Sequence, residues 1–165
     1  MKEFSLLGFI EHAALMAVEV VAAEHHALEH AAELVEAEAK ASVGHYQAQS
    51  GPFAAWAELA DATKDDRVAQ GFPANEPELR TGELRDSIEH TVTGHEAEIG
   101  SDSEVMEYHE LGTAKMPPRS ILGGAAARKA DQVAEIFGAE VVGVLASGQL
   151  GLSMGAIGGG LLRKP

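Results

Sequence analysis

Apolar residues recur every seven positions through the N-terminal quarter of the chain. Leu7, Ala14, Val21, Leu28 and Val35 form one row, and Ile10, Ala17, Glu24 and Ala31 form the row beside it. A chain patterned in this way is committed to a long helix, expected over residues 5–42, with one apolar seam flawed at Glu24. Many seam residues are small, so another helix or a sheet can approach closely. The repeat is too short to impose a dedicated coiled coil, and Ser42 to Gly44 supplies a stop.

The partner of that seam must come from the remaining residues of a 165-residue chain, enough for one domain with a core and too short for two comfortable ones. Only 5% of residues are aromatic, and much of the 45% apolar content is alanine, so the expected core is shallow and helix-rich. Oligomerisation is then an expected extra source of stability. The formal charge of −14, from 26 acidic against 12 basic residues, argues against wrapping DNA, which requires Lys and Arg on phosphates. It suits a passage through which DNA slides without sticking. With no cysteine, disulfides, thiolate metal sites and cysteine nucleophiles are excluded. Glu11, His12 and Glu19 interrupt the apolar N-terminus before a secretory core or membrane span forms. The expectation is a protein made in the cytoplasm, with no membrane partner.

After the long helix, Gly51-Pro52 is expected to open a second helix whose buried face is Phe53, Trp56, Leu59 and Ala60. Residues 71–77 (GFPANEP) read as a loop. Ile88, His90 and Val92 alternate with Glu89, Thr91 and Thr93; Gly94 turns the chain; Ala97 and Ile99 alternate with Glu96 and Glu98. That is a hairpin with one face on a core. Ser101 and Glu104 fit a capping box opening a short helix through Tyr108. Pro117-Pro118 fixes the following segment as extended. A last helix is expected from about Gly124 to Ala146. Residues 147–165 are glycine-rich and expected to form a tail, poorly helical and mobile in a free monomer, that docks through its apolar residues. The fold class is therefore α+β: a long N-terminal helix and a C-terminal helix on a small antiparallel sheet, in one domain over residues 1–146.

His26-Ala27-Leu28-Glu29-His30 fits the His-x-x-Glu-His pattern of inverted zinc peptidases, with two histidines on neighbouring helical turns and Glu29 as general base. Relative to the seam, however, His26 falls in an outward row with His12, Glu19 and Glu33, and His30 is also on the polar side. Chance matches are cheap in a helix this rich in His and Glu, and no downstream segment offers an obvious third ligand. A solvated face is the preferred reading. A weaker variant has histidines meeting across subunits in a pH-sensitive interface. No phosphate-cradling loop or Gly-x-Ser-x-Gly elbow is present, and no carboxylate pair stands out by spacing. No catalytic residue, metal or cofactor is expected.

Two segments carry a resemblance. One is Leu79-Arg80-Thr81-Gly82-Glu83-Leu84-Arg85-Asp86-Ser87-Ile88; the other is Tyr108-His109-Glu110-Leu111-Gly112-Thr113 followed by Met116-Pro117-Pro118-Arg119-Ser120-Ile121-Leu122. Trp56, Leu59, Thr63 and Lys64 precede them in a compatible order. Together, over about residues 53–145, they resemble the neck and tail-completion (head–tail joining) proteins of siphophages, also described as phage virion morphogenesis proteins or minor tail components. Leu111 stands where those proteins usually have an aromatic, and Ser120-Ile121 where they have Pro-Phe.

The resemblance implies a structural virion subunit, not an enzyme. It implies a six-fold or twelve-fold ring between the capsid connector (or head-closure protein) and the tail-terminator or tail-tube protein. DNA would pass through that ring without specific binding. A tail terminator is the alternative within the same biology; a zinc-dependent hydrolase, and behind it a helical scaffold module, are the alternatives outside it. The residues singled out for assembly or for fixing loops are Arg80, Thr81, Gly82, Leu84, Arg85, Tyr108, Glu110, Gly112, Pro118 and Arg119. Thr81-Gly82 is expected to turn and cap a short turn around Leu84, and Gly112 to hold a backbone conformation closed to other residues. Arg119 is expected to pair with Glu110 across the proline-fixed loop.

Overall fold

The computed structural model describes residues 6–158. Helix α1 spans Leu6–Ser42, α2 Asp61–Ala69, α3 Glu83–Asp86 and α4 Glu104–Leu111, and α5 spans Leu122–Gly158. Strands β1 (Ile88–Thr93) and β2 (Glu96–Ser101) form a two-stranded antiparallel sheet with Ile88 opposite Ser101 and Thr93 opposite Glu96. The α+β class expected from the sequence is the one observed.

Helix α1 is built from strong helix formers, Ala, Leu and Glu above all. Its end is set by the Ser42 hydroxyl, which donates back to the Ala39 carbonyl at 2.7 Å, and by the Gly44 amide, which donates to Pro77 O at 2.8 Å. The buried row differs from the seven-residue seam. Ala23, Ala27, Ala31, Val35, Ala39 and Val43 are buried at strict four-residue spacing. Each such step turns about 40° around the helix, so the row winds, and α1 meets α5 as well as both strands. Of the expected seam, Ala31 and Val35 are buried and Leu28 is half-buried, while Leu7, Ile10, Ala14, Ala17 and Val21 are exposed. The reason is where the sheet ends. His95, just past the Gly94 turn, reaches Glu24 at 2.9 Å, so the tip of the hairpin stands level with that residue. Beyond it, among the described residues, α1 runs alongside α5 alone.

Helix α5 lies antiparallel to α1. His26 meets Glu140 at 2.9 Å, and Glu38 meets Arg128 at 2.5 Å and Lys129 at 3.3 Å. The helix does not stop near Ala146 as expected but continues through residues 147–158. Each interior glycine there costs about 1 kcal/mol relative to alanine. The helix is already nucleated, however, and every added residue contributes a hydrogen bond. The rest of the proposed tail, residues 159–165, lies outside the described residues.

Two local expectations also give way. The segment after Gly51-Pro52 is not a helix: Ser50 and Phe53 exchange backbone hydrogen bonds at 3.0 Å around Gly51, whose φ is +54°. The Trp56 amide then donates to Gln47 O at 2.9 Å. This reverse turn sends residues 54–60 back as a non-helical strap, from which Trp56 and Leu59 are buried as expected while Ala60 is exposed. For α4 the helix is as expected but the capping box is not. Ser103 is the N-cap and makes no side-chain cap bond; the Ser101 hydroxyl instead accepts from the Ser103 amide at 3.1 Å and meets Ser87 Oγ at 2.7 Å.

The core joins Val35, Ala39 and Val43 of α1 to Trp56, Ile88, Met106, Ile121 and Ala125. Alanines on the inner face of α1 set its distance from everything beneath. Ala39→Leu is therefore expected to lower stability by about 1–3 kcal/mol through overpacking. Ala37→Leu, on the exposed face, should stay within about 0.5 kcal/mol. Urea unfolding of the two variants, followed by circular dichroism, measures the difference.

Candidate functional site

The two segments that carry the resemblance meet at one corner of the molecule. Leu79 to Ile88 descends through α3 into β1, while α4 and the loop after it deliver Arg119 to the start of α5. The Arg119 amide donates to His109 O at 2.7 Å, which closes that loop back onto α4. Gly112 sits inside the closure with φ +74°, and a Cβ there would stand 2.8 Å from Pro118 N and 2.9 Å from Met116 O. Only glycine fits. Pro118, exposed on its outer side, is the residue that Gly112 backs against.

Arg119 does not pair with Glu110. Its Nη1 donates to Glu78 Oε1 at 3.1 Å; Nε and Nη2 donate to Ala57 O at 3.2 and 3.0 Å, and Nη2 also reaches Glu58 O at 3.4 Å. The side chains of Arg119 and Glu78 are 6% and 3% exposed. This is an internal ion pair whose remaining donors are taken by the strap. Residues 57–58 belong to no helix, which leaves those carbonyls free, so the turn at Gly51 and the burial of Arg119 are parts of one arrangement. Glu78 Oε2 lies 2.6 Å from His109 Nδ1, close but poorly directed for a hydrogen bond. Glu78 is also the one non-glycine residue with positive φ among the described residues, at +64°, a conformation that costs on the order of 1–2 kcal/mol. The pair holds it there.

Glu110 has a different task. Its Oε1 accepts from the amides of Ile121 (2.6 Å) and Leu122 (2.5 Å), and its Oε2 accepts from the Ser120 hydroxyl (2.7 Å). The Ser120 Oγ in turn accepts from the Gly124 amide at 3.0 Å. A carboxylate here satisfies otherwise orphaned amides and complements the positive end of the α5 dipole. Arg119 and Glu110 therefore fix the same loop through separate partners, because Glu110 is already committed to the helix start.

The remaining singled-out residues divide between frame and surface. Gly82 is buried as the N-cap of α3 with φ +92°, while the Thr81 hydroxyl is only 3.5 Å from the Glu83 amide, a marginal cap. Leu84 packs against the core. Arg80 reaches outward to Asp66 at 2.7 Å with its guanidinium 5.6 Å above the Phe72 ring, and Arg85 pairs with neighbouring Asp86 at 2.9 Å. Tyr108 is half-exposed and Leu111 is exposed on the outer side of α4.

Sequence reasoning missed Glu78, His109 and Arg67. Arg67 is the buried residue of α2, and it donates to Pro73 O at 2.7 Å and to Leu79 O, holding the 71–79 loop. Nothing marks it among the charges of that helix except its place in the last turn. A cleft of about 610 Å³ opens between the strap, α2, the 78–84 loop and α4. The buried guanidinium groups on its wall, Arg67 and Arg119, are committed to protein acceptors. The described arrangement therefore acts as a brace.

Along α1, His26 and His30 are exposed, and Glu29 faces His90 at 3.5 Å. Among the described residues no three His, Asp or Glu side chains gather as metal ligands, and no helix is long and apolar enough to cross a membrane. Comparison with protein-family models, curated proteins and solved structures found no match.

One ionic cluster ties the sheet to α1. His90 of β1 bonds Glu36 through Nδ1 and lies near Glu29, while Lys40 bonds Glu36 at 2.5 Å. The Glu36 hydrogen bond raises the His90 pKa above its ordinary 6.5, against a smaller opposing effect of burial. Lys40 first, and then His90, lower that of Glu36 below 4.5. The contribution of His90 is thus complete below pH 6.5 and lost as pH rises through its raised value; that of Glu36 is lost as pH falls through its lowered one. The stability gap between the native protein and His90→Gln should be widest between pH 4.5 and 6.5. Urea titrations near pH 5.5 and pH 8.5 test this, and an equal gap at both values contradicts it.

Proposed function

We propose that this chain is a structural subunit of a tailed-bacteriophage particle, from the neck or tail-completion region, that assembles into a ring around the DNA passage. One observation carries the reading. The segments that resemble siphophage neck and tail-completion proteins share one core cluster through Leu79, Leu84, Ile88, Ile121 and Leu122, beside the corner where Arg119, Glu110 and Gly112 hold the backbone. Residues whose work is internal bracing suit a part that transmits load between neighbours. The charge of −14 supports the same reading, since a strongly acidic ring wall repels the duplex. Closed cyclic symmetry is the natural way for one subunit type to surround a channel. On this reading the partners are other copies of the chain and the connector and tail proteins on either side. The work is mechanical.

Light scattering of the purified protein, with negative-stain micrographs, tests the proposal. Closed rings of six or twelve copies are expected. A protein that stays monomeric at every concentration would contradict it.

A further inference from the structure

We infer that copies of this chain associate through the half of α1 that projects past the hairpin, using an apolar arc that faces away from α5. This deepens the ring proposal and rests on its claim of self-association. Residues 6–22 extend about 25 Å as helix, and among the described residues only α5 accompanies them once the hairpin has ended beside Glu24. At 100° per residue, the buried Ala23 and Ala27 continue through half-buried Val20 and Met16 as one face. Leu7, Ile10, Val18 and Val21 lie on the opposite side, 65%, 54%, 69% and 52% exposed. Leu15 flanks them, and Val142 and Leu145 of α5 are exposed at a neighbouring level. A helix apolar on two opposite faces needs two packing partners, and its own chain supplies one.

Three observations point to a second copy as the other. The exposed residues Leu7, Ile10, Leu15, Val18 and Val21 together offer on the order of 500 Å², the larger part of the ~800 Å² per partner of a standard interface. The positions Leu7, Ile10, Ala14, Ala17 and Val21 alternate by three and four residues, the spacing that seats a helix into another helix. Charge matters as well. Copies carrying −14 repel each other over most of their surface, but residues 6–22 hold only two acids, Glu11 within the arc beside Leu7 and Leu15 and Glu19 off it. A lipid surface fits poorly, because residues 6–39 contain no Lys or Arg and membrane-surface helices depend on them.

The test compares native protein with the double variant Ile10→Glu/Val18→Glu and with Val68→Glu, a control at an exposed valine of α2. Each is measured by light scattering and circular dichroism. The native protein and the control should be oligomers of equal mass. The double variant should fall at least tenfold in self-affinity while keeping its helical signal. An oligomer of unchanged mass in the double variant would overturn this surface and leave the ring proposal standing. A native protein that is monomeric throughout, or that self-associates only on vesicles, would overturn both.

Discussion

A guanidinium taken out of water must find acceptors for its donors, and that requirement at Arg119 organises the molecule. Its acceptors come from Glu78 in the loop before α3 and from Ala57 and Glu58 of the strap, while its own amide is held by His109 of α4. Four separate stretches of chain are thereby fixed at the point where α5 begins. A buried ion pair of this kind adds little net stability over well-packed apolar residues, but removing one partner is expensive. Its role is to specify which loop sits where, a role the thin core performs weakly. Ile88, Ile121 and Pro77 are its largest fully buried side chains.

The second organising feature is the alanine row of α1. Small residues at four-residue spacing bring α5 and the sheet close to one helix without large side chains between them. Polar cross-links then fix the register: Glu38 with Arg128 and Lys129, His90 with Glu36, His95 with Glu24. Among the described residues, these side-chain links lie at or below the level where the hairpin stops. What lies beyond is a helical pair with an apolar side left open, which is how a thin-cored monomer becomes a candidate for assembly.

Much of this was legible in the sequence. The helix over the first forty-odd residues, the alternation of the hairpin around Gly94 and the need for glycine at 112 all follow from local rules, and all hold. Other features depended on distant chain. Gly51-Pro52 suits a helix start as well as a tight turn; in the fold the 57–58 carbonyls are taken by distant Arg119 and the Trp56 amide by Gln47, which no local rule foretells. Glu78 lies 41 residues from Arg119, so the nearer Glu110 was the natural candidate, yet the start of α5 has the stronger claim on it. The seven-residue seam was real as a pattern, but its first half faces outward because the sheet is shorter than the helix. Glycines after Ala146 argued for a tail, while continuation of an existing helix prevailed through Gly158.

Arg119 acts inside its own chain, on Glu78, as the tie that builds the corner. A double-mutant cycle of Glu78→Gln and Arg119→Met, read by urea unfolding, measures that tie directly. The account predicts a coupling of about 2–3 kcal/mol between the two positions. Additive losses, within about 0.5 kcal/mol, would contradict it.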